Sequence, residues 1–455
     1  MRPILLFLLI GAAGLMGCSN QPSGQKKQET QLTISDDSLL TLVQHNTFQY
    51  FWEGAEPVSG LACERIHLDG NYPDNDQSVV TSGGSGFGVM AILVGIERGF
   101  ITREQGFRHL RKSVDWLAKA DRFHGAWAHW MYGETGKVKP FGLKDNGADL
   151  VETAYLMQGL LCVRQYFRDG SEAEKQLATD IDALWQGIDW SWFTNGGQDV
   201  LYWHWSPDYG WEMNFAVEGY NECLIMYVLA ASSPTYTVPA EVYTKGWARN
   251  GNIVTTTGGK YGYELTLRHN GAEEYGGPLF WSHYSFLGLD PRGLKDQFAD
   301  YWSHNVNHTL INRQWCIENP KGFKGYGENC WGLTASYSTR FYFAHAPGEQ
   351  HDVGVISPTA ALSSFPYTPE YSMQAMKYFY HEIGDKIWGK YGFYDAFSQQ
   401  DNWYPNHYLA IDQGPIVVMI ENHRSGLLWN LFMSCPEVQA GLQKLGFTYP
   451  NNEQK

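Results

Sequence analysis

The chain has 455 residues, and its 33 Lys and Arg residues against 48 Asp and Glu residues give a formal net charge of −15. A protein that binds nucleic acid needs basic residues to neutralise phosphates, so this acidic balance argues against nucleic acid as a partner. With 43% hydrophobic and only 18% charged residues, the composition excludes a disordered chain and supplies a large core.

The N-terminus has the pattern of a bacterial export signal. Arg2 precedes an apolar run from Ile4 to Met16, which is too short to span a bilayer as a helix and is typical of a secretory signal peptide. The run ends in Leu-Met-Gly-Cys at Cys18, which resembles the lipobox of bacterial lipoproteins. We therefore expect a lipoprotein signal peptide over residues 1–18 and lipidation of Cys18. The protein is expected to be exported, facing the periplasm or anchored in the outer membrane.

The next segment, residues 19–36, is rich in Gln, Ser, Lys and Thr without an apolar period and is expected to be a flexible tether. No later segment is long and apolar enough to span a membrane, so the lipid is the only membrane contact expected. Residues 37–447 are predicted to form one domain.

Helical periodicity recurs throughout that domain. Helices are predicted over residues 38–52, 88–98, 103–120, 148–167, 172–187, 217–231, 239–248, 295–312, 358–362, 369–383, 415–432 and 436–445. The segment 103–120 is charged on one side, whereas 148–161, 223–231 and 416–431 are apolar nearly all round and therefore buried. Alternating outer and inner helices predict an all-α fold, an (α/α)6 toroid, with short β-hairpins in the rim loops near residues 124–136 and 200–205.

Glycines and cysteines in or near the predicted helices give further expectations. The glycines around Gly86 and Gly88 are expected to let the chain turn tightly into an inner helix. Cys162, Cys223 and Cys435 lie in apolar helical runs and are predicted to be buried thiols. Cys316 and Cys330 are the closest pair in the sequence, and an oxidising compartment leaves a disulfide between them open. The sequence contains neither CxxC nor HExxH, so no metal and no cofactor are predicted.

Three carboxylates recur at helical spacing before an inner helix. Asp145, Asp149 and Glu152 are spaced i, i+4, i+7, which on a helix places them within about 60° of arc and roughly 10 Å of rise. They could cap a solvated helix end, but the apolar helix that follows favours a position in the mouth of the barrel. Glu222, close after Glu218, precedes a second such apolar helix.

Aromatic side chains make up 15% of the chain. Aromatic rings in loops either fill the core or stack on sugar rings. We expect about half of the loop aromatics to belong to the core and about half to bind sugar. A third acidic helix start adds two carboxylates, of which Glu421 could equally pair with Arg424. The candidate substrate-binding residues are Trp205, Trp331, Trp403, Tyr404, Asp412 and Glu421.

Carboxylates that meet at an aromatic rim suit glycoside hydrolysis. That reaction needs one protonated carboxyl for the leaving oxygen and one carboxylate that activates water or attacks. Crowded acids raise the pKa of one of their number, which supplies the proton donor.

An ordered set of motifs resembles the glycoamylase-like family of bacterial secreted glycosidases over roughly residues 40–445. The motifs are the glycine-rich segment 81–91, Asp-Leu-Val-Glu-Thr-Ala-Tyr at 149–155, Asn-Glu at 221–222, Tyr-Gly-Phe-Tyr-Asp-Ala-Phe at 391–397 and Asp-Gln-Gly-Pro-Ile at 412–416. The resemblance implies an (α/α)6 barrel and an enzyme of the kind that includes endo-β-1,2-glucanases. It also implies catalytic roles for Asp145, Asp149, Glu152 and Glu222, without saying which is the proton donor, because Glu218 competes with Glu222.

The function expected from the residues and the resemblance together is endo-type hydrolysis of β-1,2-glucan to short sophoro-oligosaccharides by a monomer. The partner is an oligo- or polysaccharide substrate. Two alternatives stay open: an exo-acting, glucoamylase-like or sophorose-releasing glucosidase of the same fold, and a non-catalytic glycan-binding lipoprotein. A polysaccharide lyase would need a Lys, Tyr or His base, which the acidic residues do not supply.

Overall fold

A computed structural model of the protein describes residues 34–73 and 76–450. The predicted signal peptide, Cys18 and most of the predicted tether lie outside the described residues. From Asp36 onward the chain forms one compact unit. Among the described helices, none has the length and apolar character that crossing a membrane requires.

Thirteen α-helices are found in the described residues: α1 (Asp36–Trp52), α2 (Ser82–Glu97), α3 (Arg103–Leu117), α4 (Leu150–Phe167), α5 (Glu172–Gln186), α6 (Leu224–Ser232), α7 (Tyr301–Glu318), α8 (Pro358–Leu362), α9 (Pro369–His381), α10 (Gly384–Ile387), α11 (Ala410–Arg424), α12 (Leu427–Met433) and α13 (Pro436–Lys444). A π-helical turn (Val242–Trp247) and four 3-10 turns (Trp192–Thr194, Arg249–Gly251, Leu279–Ser282 and Tyr284–Phe286) lie between them.

The helices alternate between an outer and an inner ring. Nearly every residue of α2, α4, α6, α8 and α11 is buried, whereas α3, α5 and α9 bury one face. Around the inner ring α2 packs on both α4 and α11, α4 packs on α6, α6 packs on the turn Tyr284–Phe286, and α8 packs on α11. The predicted all-α, (α/α)6 architecture is confirmed.

The strands are two or three residues long and form small antiparallel sheets in the loops. They are β1 (Arg65–His67), β2 (Val79–Thr81), β3 (Arg122–Phe123), β4 (Ala126–Trp127), β5 (Trp130–Tyr132), β6 (Val138–Lys139), β7 (Ala148–Asp149), β8 (His204–Trp205), β9 (Gly259–Lys260), β10 (Tyr263–Glu264), β11 (Ala335–Tyr337), β12 (Tyr342–Ala344), β13 (Trp388–Gly389), β14 (Gly392–Phe393) and β15 (His407–Leu409). Two pairings matter for the site: β7 with β8, and β1 with β15.

Helix α2 begins earlier than predicted, and its glycines do not form a turn. Gly83 and Gly86 lie inside the helix, facing α4. A Cβ atom on Gly83 would overlap the carboxyl of Glu152, and one on Gly86 would overlap the backbone of Tyr155. The expectation of a tight turn is therefore wrong: the missing side chains let α2 and α4 pack closely.

Two further helix starts differ from prediction because capping side chains stop the helix. Asp149 has extended backbone and its carboxylate accepts from the N–H of Glu152, so α4 begins at Leu150. Asp300 caps α7 in the same way, through the N–H of Ser303. In contrast, α11 begins upstream of the predicted start and contains Pro415.

All six cysteines in the described part of the chain are buried free thiols. The prediction of buried thiols at Cys162, Cys223 and Cys435 is confirmed. Cys316 and Cys330 are not joined by a disulfide.

Candidate active site

Asp145, Asp149 and Glu152 do not share a helical face. Asp145 precedes β7, Asp149 ends β7, and only Glu152 lies in α4. The expectation of one helical stripe is wrong, because the chain is extended up to the N-cap. The loop and the cap nevertheless bring Asp145 and Asp149 together: a ligand atom from each and one from His129 lie within 4.8 Å of one another.

Two histidines complete what we call the acid cluster (Asp145, Asp149, Glu152, His129 and His204). His129 Nδ1 lies 3.2 Å from Asp149 Oδ2. His204, directly opposite Asp149 in the β7–β8 pair, places its Nε2 3.4 Å from Asp145 Oδ2 and 3.8 Å from Asp149 Oδ2. The sequence analysis missed both histidines.

The charges in the acid cluster are split. Burial lowers the pKa of His129, but the carboxylates of Glu152 and Asp149 outweigh it and raise that pKa to about 10. Burial also acts against the charge of Asp149, yet the hydrogen bond and positive charge of His129 hold the pKa of Asp149 below its usual value. The site therefore holds an ionised Asp149 beside an imidazolium.

The other two carboxyls of the cluster hold protons close to neutral pH. Burial, followed by the charge of Asp149, raises the pKa of Asp145 to about 7. Burial raises the pKa of Glu152 to about 7, with Asp149 adding to the rise and His129 opposing it. Glu152 Oε2 also accepts from the N–H of Gly83 at 2.8 Å, which fixes this carboxyl at the start of α2.

Glu222 is the fourth acid, and it precedes α6 instead of opening it. Burial raises the pKa of its carboxyl to about 7. Glu218, the competing residue, is 47% exposed and pairs with Arg249 at 3.5 Å. Glu222, which is less exposed than Glu218, is therefore the stronger candidate for the site.

Two cavities meet at Glu222. The smaller cavity, of about 360 Å³, is lined among others by Glu64, Arg65, His129, Glu152, Tyr155, Glu222, Tyr284, Tyr337 and Tyr342. The larger cavity, of about 780 Å³, is lined among others by Glu222, His269, Tyr275 and Trp281. Trp203, Glu222 and Phe280 line both, so a chain-like ligand could pass from one cavity to the other beside Glu222.

Comparisons with known proteins identify the family of the chain. A solved endo-β-1,2-glucanase from Chitinophaga pinensis, in complex with sophorotriose and glucose, is 70% identical, with a TM-score of 0.90 over 91% of this chain and 99% of that one. The chain belongs to the glycoamylase-like family. The family model Glycoamylase, described as "Putative glucoamylase", matches residues 214–436, a stretch that includes Glu222 but not the acid cluster.

A curated relative in the family is the exo β-1,2-glucooligosaccharide sophorohydrolase (non-reducing end) of Parabacteroides distasonis. It is 46% identical over 439 residues, which cover 92% of this chain. This chain spans 59% of that relative's length.

The structure does not place every aromatic residue predicted to bind substrate at the cavities. Trp331 is fully buried and belongs to the core, so its prediction as a sugar platform is wrong. Trp205 packs its ring against His124, with 4.8 Å between ring centroids, and the neighbouring Trp203 is the tryptophan that lines both cavities.

Trp403 and Tyr404 also lie away from the two cavities. Trp403 pairs through its backbone with Ser398, and Tyr404 stacks on Phe397 with 6.3 Å between centroids. Neither is among the described residues that line the cavities, so the prediction that they contact substrate is not supported by their positions.

Asp412 and Glu421 are buried in α11 and do not line the cavities. Glu421 accepts two hydrogen bonds from Arg98, at 2.6 and 2.8 Å, so it forms a structural ion pair and its prediction as a ligand contact is wrong. Arg424, the partner considered from sequence, instead donates to Asp37 at 2.6 Å. Asp412 pairs with another carboxyl, described below.

Two groups of described residues have metal donors near one another: His67, Asp69 and His407, and His129, Asp145 and Asp149. In the second group, His129 Nδ1 lies at hydrogen-bond distance, 3.2 Å, from Asp149 Oδ2. In the first group, both ring nitrogens of His67 are hydrogen-bonded, to the Asn71 carbonyl and the Tyr337 hydroxyl. A histidine in either group is therefore already engaged in hydrogen bonds within the protein.

The residues that sequence reasoning missed share the smaller cavity: Glu64, Arg65, His129, Trp203, Tyr284, Tyr337 and Tyr342. For Trp203 there was a signal, because it adjoins the predicted Trp205. For the others the sequence offers no spacing or motif that singles them out.

Proposed function

We propose that the protein hydrolyses β-1,2-glucan with Asp145, Asp149, Glu152 and Glu222 as its active centre. The observation that carries the proposal is that Glu152 and Glu222 line one cavity, next to Asp145 and Asp149. The protonation of these acids is unlike: His129 holds the pKa of Asp149 low, and the pKa values of the other three are raised to about 7. Glycoside hydrolysis needs such a pair of unlike carboxyl groups. A protein that only binds glycan gains nothing from burying Asp145, Asp149 and Glu152 beside a fourth acid, since burying acids costs free energy.

Glu222 is the carboxyl that we assign as proton donor. It lines both cavities, so a glycosidic bond that crosses from one cavity to the other lies beside it. Its pKa of about 7 keeps it protonated at mildly acidic pH. Of the other three acids, Glu152 lines the smaller cavity and is placed to assist attack on the anomeric carbon. Asp145 and Asp149 line neither cavity, and the charge of Asp149 acts on Glu152 by raising its pKa.

The substrate follows from the relatives, whose names both specify β-1,2-linked glucose chains. Cavities on both sides of Glu222 suit cleavage within a chain, so we propose endo-type release of short sophoro-oligosaccharides. The name of the Parabacteroides relative supports the second candidate, release of sophorose from the non-reducing end.

A panel of soluble linear glucans tests both the linkage and the mode of cleavage. We expect turnover on β-1,2-glucan alone, with a mixture of oligosaccharide lengths in the first few per cent of reaction. Sophorose as the sole early product would replace the endo assignment by the exo assignment. Turnover on starch and none on β-1,2-glucan would overturn the proposed linkage.

We also propose that the protein is an exported lipoprotein anchored through Cys18. The support is the apolar run and the Leu-Met-Gly-Cys ending in the sequence. The Cys18→Ala variant is expected to move from the membrane pellet to the soluble periplasmic fraction with its activity intact. A variant that still pellets with membranes in detergent-free buffer would contradict lipid anchoring.

A further inference from the structure

A second pair of buried carboxyls lies outside the acid cluster. Asp395 follows β14 in the loop 394–406, and Asp412 lies in the first turns of α11. Their side chains are 3% and 1% exposed, respectively. No Lys or Arg in the described part of the chain forms a salt bridge with either carboxyl. An interaction other than a salt bridge must therefore offset the free energy of burying the two carboxyls.

Each carboxyl has one oxygen that accepts from a neighbour and one oxygen that does not. Asp395 Oδ2 accepts from the N–H of Tyr337 at 2.7 Å, and Asp412 Oδ1 accepts from the hydroxyl of Tyr284 at 3.5 Å. The remaining oxygens, Asp395 Oδ1 and Asp412 Oδ2, are buried and have no hydrogen-bond donor among the described residues. The two carboxyls lie close enough for a hydrogen bond and charge between them to shift the pKa of each, so a proton on one of them would satisfy an oxygen of the other.

This contact requires a proton, because ionised carboxylates only accept hydrogen bonds. Burial raises the pKa of Asp395 to about 6, and the hydrogen bond from Asp412 opposes the rise. Burial, then the charge of Asp395 and the same hydrogen bond, raise the pKa of Asp412 well above its usual value. The higher pKa of the two belongs to Asp412, so the proton of the pair is assigned to Asp412, with Asp395 as its acceptor.

We propose that Asp395 and Asp412 share one proton, and that Asp395 is thereby a positioning residue that holds Asp412 and the β11–β12 pair against the smaller cavity. Asp395 reaches the hairpin through Tyr337, at the end of β11, and Asp412 reaches Tyr284. Tyr284, Tyr337 and Tyr342 all line the smaller cavity. A change in the pair would displace this tyrosine wall.

Other charged and titratable groups face the pair from the elements packed against it. They are Glu64 and Arg65 of β1, Tyr284 of the turn Tyr284–Phe286, and Tyr337 and Tyr342 of β11 and β12. Glu64 raises the pKa of Asp395 and Arg65 lowers it. The substitution designed to test the pair leaves all of these groups in place.

Two substitutions at Asp395 separate a shared proton from a required negative charge. In Asp395→Asn the amide N–H replaces the shared proton by donating to Asp412, and the amide oxygen still accepts from Tyr337. We expect turnover on β-1,2-glucan within about threefold of wild type. In Asp395→Leu both hydrogen bonds are lost, and a displaced tyrosine wall is expected to cost about 10²-fold in turnover.

The pH dependence of the melting temperature tests the shared proton independently of turnover. Carboxyls whose pKa is raised by folding contribute stability below the usual carboxyl value, about pH 4, and lose it as pH rises through the folded value. The wild type is therefore expected to lose melting temperature between about pH 4 and pH 7 more steeply than Asp395→Asn. The difference between the two slopes isolates the pair from the other raised carboxyls, which are common to both proteins.

Asp352→Asn is the matched control, since Asp352 is equally buried but has no carboxyl partner. Its oxygens accept from Trp315 Nε1 at 2.7 Å, from the Tyr326 hydroxyl at 2.7 Å and from the N–H of Gly354 at 3.0 Å. In Asp352→Asn the amide NH2 would face neighbours that are themselves hydrogen-bond donors, so the melting temperature is expected to fall. Asp395→Asn is expected to leave the melting temperature unchanged or raise it at pH 7.

The turnover readout rests on the proposed function, whereas the melting readout does not. A slope in Asp395→Asn equal to that of wild type would overturn the shared proton. Loss of turnover in Asp395→Asn with the predicted shallower slope, or full turnover in Asp395→Leu, would overturn the positioning role. If Asp395→Leu does not fold, the comparison of Asp395→Asn with Asp352→Asn still decides whether the proton is shared. Absence of β-1,2-glucanase activity in the wild type would reject the proposed function alone.

Discussion

The acid cluster and the Asp395–Asp412 pair both hold buried carboxyl groups close together, but they limit the repulsion between the carboxylates in different ways. In the acid cluster an imidazolium, His129, allows Asp149 to stay ionised beside two carboxyls of raised pKa. In the pair, no cation among the described residues is salt-bridged to either carboxyl. We propose that a proton shared by Asp395 and Asp412 neutralises one of the two charges instead. A cation leaves unlike protonation states within one site, which is what acid–base catalysis needs, whereas a shared proton leaves a fixed and chemically quiet unit.

The largest expected contrast is between amide substitutions in the two regions. Asp149→Asn or Glu222→Gln is expected to lose at least about 10²-fold in turnover on β-1,2-glucan, since a general acid or its partner contributes at least that much. Asp395→Asn should stay close to wild type. Turnover near wild type in both active-centre variants would show that the two clusters do not differ in function.

The same variants should differ in stability. Asp149→Asn leaves the partly buried imidazolium of His129 without its hydrogen-bonded carboxylate, so the melting temperature of the variant is expected to fall. Glu222→Gln removes a carboxyl whose pKa is raised to about 7 by burial, so above pH 7 its melting temperature should hold or rise. Thermal melts at pH 7.5 check both directions. A drop in Glu222→Gln as large as that in Asp149→Asn would assign Glu222 a structural role.

The architecture could be predicted from the sequence because the helices differ in how much of their surface is apolar. Helix α3 has one charged side and α4 has almost none, which places them in different rings. Residue identities at Asp145, Asp149, Glu152 and Glu222 also pointed to the site. The geometry behind that prediction was wrong: Asp149 is the N-cap of α4, so the helix does not extend back to Asp145 as the spacing assumed.

The histidines and the aromatic contacts could not be predicted in the same way. His204 reaches the acid cluster through the β7–β8 pairing, and His129 directly precedes β5, which pairs with β2. Both pairings join segments distant in the sequence, and single-sequence patterns do not specify such pairings. Trp331 and Trp203 are indistinguishable as loop tryptophans, yet one is core and the other lines both cavities. Tertiary packing alone decides between those two positions.

The pH dependence of kcat/KM on β-1,2-glucan, in wild type and in His129→Gln, tests the central claim most directly, because it reports the protonation of the free enzyme. For the wild type we expect a falling limb near pH 7, where Glu222 loses its proton. In His129→Gln the rising limb should move to higher pH, since Asp149 loses the cation that keeps it ionised, while the falling limb stays in place. A wild-type profile that is flat through pH 9, or a rising limb that does not move in His129→Gln, would contradict the split in protonation on which the proposed function rests.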